Sequence, residues 1–222
     1  MKPWSDQPDE QLPRSIPMSV EPLDLRAEHN WLKVMIPLAE PAVEMLRLQL
    51  DPVAKSSTAF VRFPHGWNRE VECRYSVDEE IVMLGGELRI SGVVIPEGSY
   101  GFIPTGVLRT NTLTPTTSLA LAWFSGPTGA TEHAVDAPIV VADLATVELD
   151  QASPLGGPGR LLRSSVNGTC WLLESIPPGT LAPSGASAEL CDLAEARWSA
   201  APAGSPLTTS AGRTVVRFTW VG

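Results

Sequence analysis

The fold is decided by the stretch from Val71 to Glu87, which reads VECRYSVDEEIVMLGGE. Its first part alternates in character, because Cys73, Tyr75 and Glu79 share one parity and the residues between them are mostly polar or charged. In an extended strand, residues of one parity face the same side. The alternation therefore predicts a strand over 71–77 whose continuation aims these three side chains into the interior of a barrel.

The rest of this stretch is an apolar run, 81–84, that ends in the pair Gly85-Gly86. Paired glycines supply the positive φ of tight two-residue turns, so the pattern predicts a β-hairpin at this point. Short runs that alternate or are rich in β-branched residues recur along the chain with turn residues between them, and their spacing predicts an all-β sandwich or barrel. These further runs cover 31–38, 43–50, 58–63, 87–95 and 118–124, and a run over 190–198 fits a helix or a strand by its pattern, of which we favour the strand.

Composition limits the classes of function. The 222 residues carry a formal net charge of −9, and the 16 basic residues are scattered, which argues against a nucleic-acid partner. No apolar run approaches the roughly 20 residues of a membrane span, and the polar N-terminal segment lacks the apolar core of a signal peptide. Three cysteines without metal-type spacing indicate free thiols in a reducing cytoplasm.

A faint internal repeat predicts two related β units. Residues 58–66 resemble 169–179, and residues 96–99 resemble 202–205. We therefore predict a Pro-rich arm over 1–28 that lies across the barrel and a complete barrel over 29–142 that carries the candidate site. A linker over 143–159, rich in Gly and Pro at its end, leads to a shortened, degenerate unit over 160–222.

Two motifs carry a family resemblance. The spacing Cys73-x-Tyr75-x(3)-Glu79 with its apolar strand and Gly-Glu ending is similar to the cupin motif H-x-H-x(3)-E. The segment Pro104-x-Gly106-x-x-Arg109 is similar to the second cupin motif, P-x-G-x-x-H. The chain thus resembles the cupins, in particular the branch of ChrR-type anti-sigma C-terminal domains and acetylacetone-cleaving dioxygenases. This resemblance implies an all-β, double-stranded β-helix (cupin) barrel, followed here by a shortened cupin-like unit.

The resemblance also implies where a metal would lie, and the residues there are unusual. Cys73 and Tyr75 stand at the two motif-one histidines, Glu79 at the glutamate and Arg109 at the last histidine. A guanidinium is always protonated and has no lone pair to give. The three histidines of the chain all lie elsewhere, so we expect no metal and no other cofactor.

The leading hypothesis is a metal-independent barrel that binds or acts on a small oxygenated molecule. Arg109 would hold a carboxylate, ketone or enolate oxygen, with Glu79 as general acid or base and Tyr75 as hydrogen-bond donor. Cys73 would be a nucleophile or a small apolar wall. The expected chemistry is proton transfer, such as isomerisation, cyclisation or elimination. In the loop after 63, Trp67 would stand at the pocket mouth with His65 beside it, both as substrate-binding residues.

Several alternatives remain open from the sequence. In the first, Arg109 and Glu79 form a buried salt bridge left after loss of a metal and have no catalytic role. In the second, the barrel is a metal-dependent dioxygenase that uses an atypical set of Cys73, Tyr75, Glu79 and His65. A third reading is a non-catalytic regulatory or interaction module, as in cupin sensor domains. The small-molecule ligand is the expected partner, and an open sheet edge in the shortened unit would allow a homodimer.

Overall fold

A computed structural model describes residues 21–220, which contain β-strands and no helix. Within this range there is no helix long and apolar enough to cross a membrane. The first unit comprises His29–Asp143 among the described residues, and the second comprises 21–28 together with 144–220. Residues 1–20 of the predicted arm lie outside the described residues. The described remainder of that arm supplies a short edge strand to the second unit.

The first unit contains two antiparallel sheets. The larger has the strand order β12-β9-β6-β11-β4-β3-β2, and the smaller has the order β5-β10-β7-β8. The strands are β2 (Leu32–Val34), β3 (Val43–Leu50), β4 (Ser57–Phe63), β5 (Asn68–Arg69), β6 (Glu79–Gly85), β7 (Glu87–Ile90), β8 (Val93–Pro96), β9 (Ser99–Ile103), β10 (Thr112–Leu113), β11 (Ser118–Phe124) and β12 (Val140–Asp143).

Alternating side chains build the core of this unit. Val61 and Phe63 of β4, Ile81 of β6 and Leu88 and Ile90 of β7 all belong to one buried apolar cluster. Within β4 and within β7 these residues are two positions apart, so they share one face of the pleat. Because β7 belongs to the smaller sheet and β4 and β6 to the larger, the cluster lies between the two sheets and holds them together.

The predicted hairpin at Gly85-Gly86 is wrong. Strand β6 pairs with β9 and β11, whereas β7 pairs with β8 and β10, so the glycine pair carries the chain from one sheet to the other. Gly86 has φ +70°, and a Cβ there would overlap the Ser118 hydroxyl and lie 2.8 Å from the Thr117 carbonyl oxygen. Glycine is required for close approach between backbone segments as well as for the turn.

The predicted strand over 71–77 is also only partly right, because this segment pairs with two loops and not with a sheet. Cys73 and Arg109 exchange backbone hydrogen bonds of 3.1 and 2.9 Å, and the Gly106 amide donates to the Tyr75 carbonyl at 2.9 Å. On the opposite edge of the segment, the Thr131 amide donates to the Arg74 carbonyl and the Ser76 amide donates to the Gly129 carbonyl. Both edges are therefore paired with loops, so the segment joins no regular ladder, yet the alternation of side chains is kept.

The second unit contains one antiparallel sheet with the order β1-β17-β16-β18-β15-β14-β13. The predicted strand over 190–198 is in fact a hairpin of β16 and β17 around a turn. A second layer is reduced to the isolated bridges Ile176–Ser210 and Leu181–Pro206. The strands are β1 (Leu23–Asp24), β13 (Gln151–Ala152), β14 (Pro158–Ser165), β15 (Gly168–Leu173), β16 (Ala186–Asp192), β17 (Arg197–Ala201) and β18 (Thr214–Trp220).

The two units share an order of strands. In the first, β3, β4, β11, β6 and β9 are successive neighbours, and in the second β14, β15, β18, β16 and β17 follow the same order. In each set of five, the strand that comes last in the sequence, β11 or β18, is the middle strand in the sheet. The residues that resemble each other in sequence, 58–61 and 169–172, lie in the corresponding strands β4 and β15.

Candidate functional site

The first unit encloses a cavity of about 330 Å³ between its two sheets. Most of its wall is apolar and comes from the same faces that form the core, including Phe63, Ile81, Leu88 and Phe124. A polar group of side chains occupies another part of the wall. It consists of Trp67, Arg69, Cys73, Tyr75, Glu79, Arg109, Thr112 and Thr128.

Arg109 lies inside the cavity wall with only 2% of its surface exposed. Its Nη1 atom donates to Oε2 of Glu79, which is itself buried at the start of β6. The backbone bridge to Cys73 fixes the base of the arginine. The structure thus brings together Cys73, Tyr75, Glu79 and Arg109, as the sequence predicts, and the arginine and glutamate form a buried ion pair.

Tyr75 lies between two guanidinium groups. The Arg109 guanidinium carbon is 3.9 Å from the centre of the phenol ring, within the range of a cation–π contact. On another side, Arg69 Nη1 donates to the Tyr75 hydroxyl oxygen at 2.7 Å. The hydroxyl is therefore an acceptor toward Arg69, which leaves its own proton available for donation to a third group.

Arg69 is the functional residue that sequence reasoning missed. It is 3% exposed, directly opposite Thr112 in the β5–β10 pair, and forms no ion pair with any residue in 21–220. Burial alone would lower the pKa of the Arg69 guanidinium, but Tyr75, Cys73 and Glu79 together raise it by more, so the pKa lies above its usual value. Arg69 is therefore a permanent cation. Its only signal in the sequence was the alternation of Trp67 and Arg69 with the small or polar residues Gly66, Asn68 and Glu70.

Several hydrogen-bond donors on the cavity wall have no protein partner. Arg109 keeps Nε and Nη2 unpaired, and Arg69 keeps Nε unpaired, within the described residues. Buried donors of this kind are usually satisfied, because leaving a polar group unpaired costs about 1–3 kcal/mol. The residues that carry these donors all line one cavity, which indicates a place for an acceptor. The uncharged members of the set are Trp67 Nε1, Thr112 Oγ1 and Thr128 Oγ1.

The two loop residues predicted to bind substrate have different positions. Trp67 is 2% exposed and lies in the cavity wall, so it is part of the interior and not of a mouth. His65 is exposed and does not line the cavity. The Trp67 amide donates to the Pro64 carbonyl at 3.1 Å, which closes a tight turn and places His65 on its outer side. The prediction that His65 lies at the site is wrong on this geometry.

The cavity residues do not fit a divalent metal ion. Within residues 21–220 no three His, Cys, Asp or Glu side chains come close enough together to hold one. Glu79, the one carboxylate in the wall, is already bound to Arg109. A guanidinium donates no lone pair and would repel a second cation beside it. This donor set is suited to an anion.

Comparison with known proteins identifies the architecture. No protein-family model matches the chain, and no curated protein matches it. Among solved structures, a putative dioxygenase from Nostoc punctiforme superimposes with a TM-score of 0.66 at 18% identity, over 81% of this chain and 74% of that one. A cupin 2 conserved barrel domain protein from Leptotrichia buccalis gives 0.54 at 13% identity, over 81% and 89%.

The chain has the cupin fold. A third structure, the protein Ylba from Escherichia coli, agrees with a TM-score of 0.53 at 13% identity, over 86% of this chain and 88% of that one. Identities this low establish the fold alone, since one cupin barrel serves many activities. The all-β class and the double-stranded β-helix predicted from the motifs are confirmed.

Proposed function

We propose that the cupin barrel of the first unit binds a small oxygenated molecule and promotes proton transfer on it without a metal. The observation that carries this proposal is the position of Arg109. Its guanidinium is buried in the cavity wall, it holds the carboxylate Glu79 through Nη1, and its Nε and Nη2 atoms have no partner in the described chain. A fixed cation with free donors replaces the electrophile that a metal would supply.

Each of the polar cavity residues has its own role in the proposed proton transfer. Arg109 and the free proton of Tyr75 hold the oxygen of a ketone or carboxylate. The Glu79 carboxylate removes a proton from the carbon next to the carbonyl, and the electron pair of that C–H bond moves onto the held oxygen as an enolate. In a β,γ-unsaturated ligand, returning the proton to the γ-carbon of the resulting dienolate completes an isomerisation, and loss of a β-substituent completes an elimination. Cys73, half-buried in the same wall, contacts the ligand as a small side chain.

Exchange of carbon-bound hydrogen tests this function directly. We expect the protein to accelerate C–H to C–D exchange in at least one member of a panel of enolisable ketones and keto acids in D₂O, followed by NMR. Glu79→Gln should abolish the acceleration, and Arg109→Leu should abolish ligand binding. Glu195 belongs to an exposed ion pair in the second unit, so Glu195→Gln is the matched control and should leave exchange unchanged. Binding that persists unaltered in Arg109→Leu would overturn the proposal.

Metal analysis separates this function from the second candidate, a metal-dependent dioxygenase. That candidate is favoured by the similarity of fold to the Nostoc punctiforme protein, and it requires an atypical ligand set. We expect elemental analysis of the purified protein to find no stoichiometric transition metal. One iron, manganese or zinc per chain, lost in Cys73→Ala or Glu79→Gln, would contradict the metal-free mechanism.

The second unit is proposed to be a degenerate copy of the barrel. The shared neighbour order of five strands supports this proposal, as does the reduction of its second layer to isolated bridges. Its open sheet edges remain a proposed surface for a homodimer. The three free cysteines support the proposal of a reducing, cytoplasmic setting.

A further inference from the structure

The unpaired atoms of Arg109 lie on one edge of its guanidinium. Nη1 is bound to Glu79, and the atoms left over are Nε and Nη2. The Nε–H and Nη2–H bonds of a guanidinium run parallel, and they match the two oxygens of a carboxylate in a bidentate pair. A ketone or an alcohol offers one oxygen and fills only half of this edge. The free edge therefore selects a carboxylate among the oxygenated groups that the proposed function allows.

The charges in the cavity wall also require an anion. Two guanidiniums, Arg69 and Arg109, face a single carboxylate, Glu79, so the described wall carries one uncompensated positive charge. A buried charge without a counter-ion is strongly unfavourable. A monoanion neutralises the wall, whereas a dianion would leave one negative charge against apolar side chains. The charge balance selects a ligand with one negative charge.

The apolar part of the cavity limits the size and polarity of the part of the ligand that lies beyond the carboxylate. Away from the polar group the wall is formed by side chains such as Val61, Phe63, Ile81, Ile90 and Phe124. The volume of about 330 Å³ equals that of about eleven water molecules in the liquid. A carboxylate with an apolar body of roughly five to eight further non-hydrogen atoms fits in that space.

We infer that the ligand of the first unit is a small monocarboxylate with an apolar body, whose carboxylate is bound by the Nε–Nη2 edge of Arg109 next to Arg69. This inference rests on the proposed function and narrows its ligand class. Arg69 acts here as a binding residue that compensates the anion's charge, with Thr112 and Trp67 as neutral donors beside it.

Matched probes of one length test the inference on the unaltered protein. Isothermal titration calorimetry compares hexanoate with hexanamide, hexylammonium and adipate. We expect hexanoate to bind about tenfold to a hundredfold more tightly than hexanamide and adipate, because charge-assisted hydrogen bonds are lost or a second charge meets an apolar wall. Hexylammonium should not bind. Hexanamide binding as tightly as hexanoate would overturn the inference.

Variants then assign the site. Arg109→Lys keeps the charge but removes the two parallel N–H donors of the guanidinium edge. Arg69→Gln removes the second cation. Each should weaken hexanoate binding about tenfold or more, with folding checked by circular dichroism. Arg197→Gln, whose side chain is half exposed in the second unit, should bind as the unaltered protein does. Unchanged hexanoate binding in Arg109→Lys would also overturn the inference.

The two proposals fail in different ways. If hexanamide or a neutral ketone binds, hexanoate does not, and binding is lost in Arg109→Leu, the monocarboxylate class is wrong and the proposed function stands. If hexanoate binds as inferred but no enolisable ligand exchanges hydrogen, the ligand class stands and the proton-transfer function is wrong.

Discussion

The guanidinium carbon of Arg109 lies 3.9 Å from the centre of the Tyr75 ring, so an aromatic face covers a buried cation. The same tyrosine accepts a hydrogen bond from Arg69 through its hydroxyl. The neutral side chain of Tyr75 therefore contacts both positive charges of the cavity wall, Arg69 and Arg109. Tyr75 is consequently a structural support of the site as well as a donor to the proposed ligand.

Shortening Tyr75 in two steps separates these contributions. Tyr75→Phe removes the acceptor of Arg69 Nη1, and we expect the free energy of unfolding to fall by about 1–3 kcal/mol. Tyr75→Leu should lower it by about a further 0.5–2 kcal/mol because the cation–π contact is lost as well. Urea unfolding monitored by fluorescence measures both. Equal stabilities of the two variants would show that the ring contact contributes nothing.

The buried pair of Arg109 and Glu79 should show strong coupling. Removing one partner, as in Glu79→Leu or Arg109→Leu, leaves the other buried charge without its hydrogen-bonded partner and should lower the free energy of unfolding by about 3–5 kcal/mol. The double variant should recover much of that loss. A matched cycle on the half-exposed pair of Arg160 and Asp150 should give a coupling of about 0–1 kcal/mol. Strictly additive losses at Arg109 and Glu79 would contradict the pairing.

Two glycines provide a matched test of the crossing between sheets. Gly92 and Gly86 have φ of +81° and +70°, but only at Gly86 would a Cβ overlap other atoms. We expect Gly92→Ala to lower the free energy of unfolding by about 1–2 kcal/mol through backbone strain alone. Gly86→Ala should cost about 1–3 kcal/mol more because it also displaces Ser118 and Thr117. Thermal unfolding of the two variants checks the order, and the reverse order would refute the argument.

The buried thiol of Cys191 should make the stability of the fold depend on pH in the alkaline range. Complete burial raises the pKa of its thiol from 9.0 to about 12. Between those two values the unfolded chain loses this proton and the folded chain keeps it, so stability falls as the pH rises from about 9 towards about 12. Cys191→Ala should have a shallower decline in this window than the unaltered protein. Cys73→Ala, at a half-buried position, is the control and should keep the steeper decline.

Much of the fold was readable from local patterns. Alternation in β3, β4 and β11 and the spacing of the two motifs predicted an all-β cupin barrel, and the fold is confirmed. The turn at Gly85-Gly86 was misread because positive φ permits both a hairpin and a crossing between sheets. The choice between them depends on which strands pair, and distant partners such as β11 decide that pairing.

About half of the candidate site could be predicted from the sequence. Cys73, Tyr75 and Glu79 share a parity, and Arg109 follows from the second motif, so their common position could be inferred from the sequence. Arg69 could not, since its importance depends on standing opposite Thr112, in a register that nothing local encodes. His65 was misplaced for a related reason: neighbours along a turn point in different directions, and only the closed turn shows which way.

The wall formed by 73–76 exchanges its hydrogen bonds with loops and belongs to no regular sheet. Its side chains can therefore be replaced while both sheets keep their pairing. A wall of this kind allows the ligand chemistry of a barrel to change by a few substitutions without a change of fold.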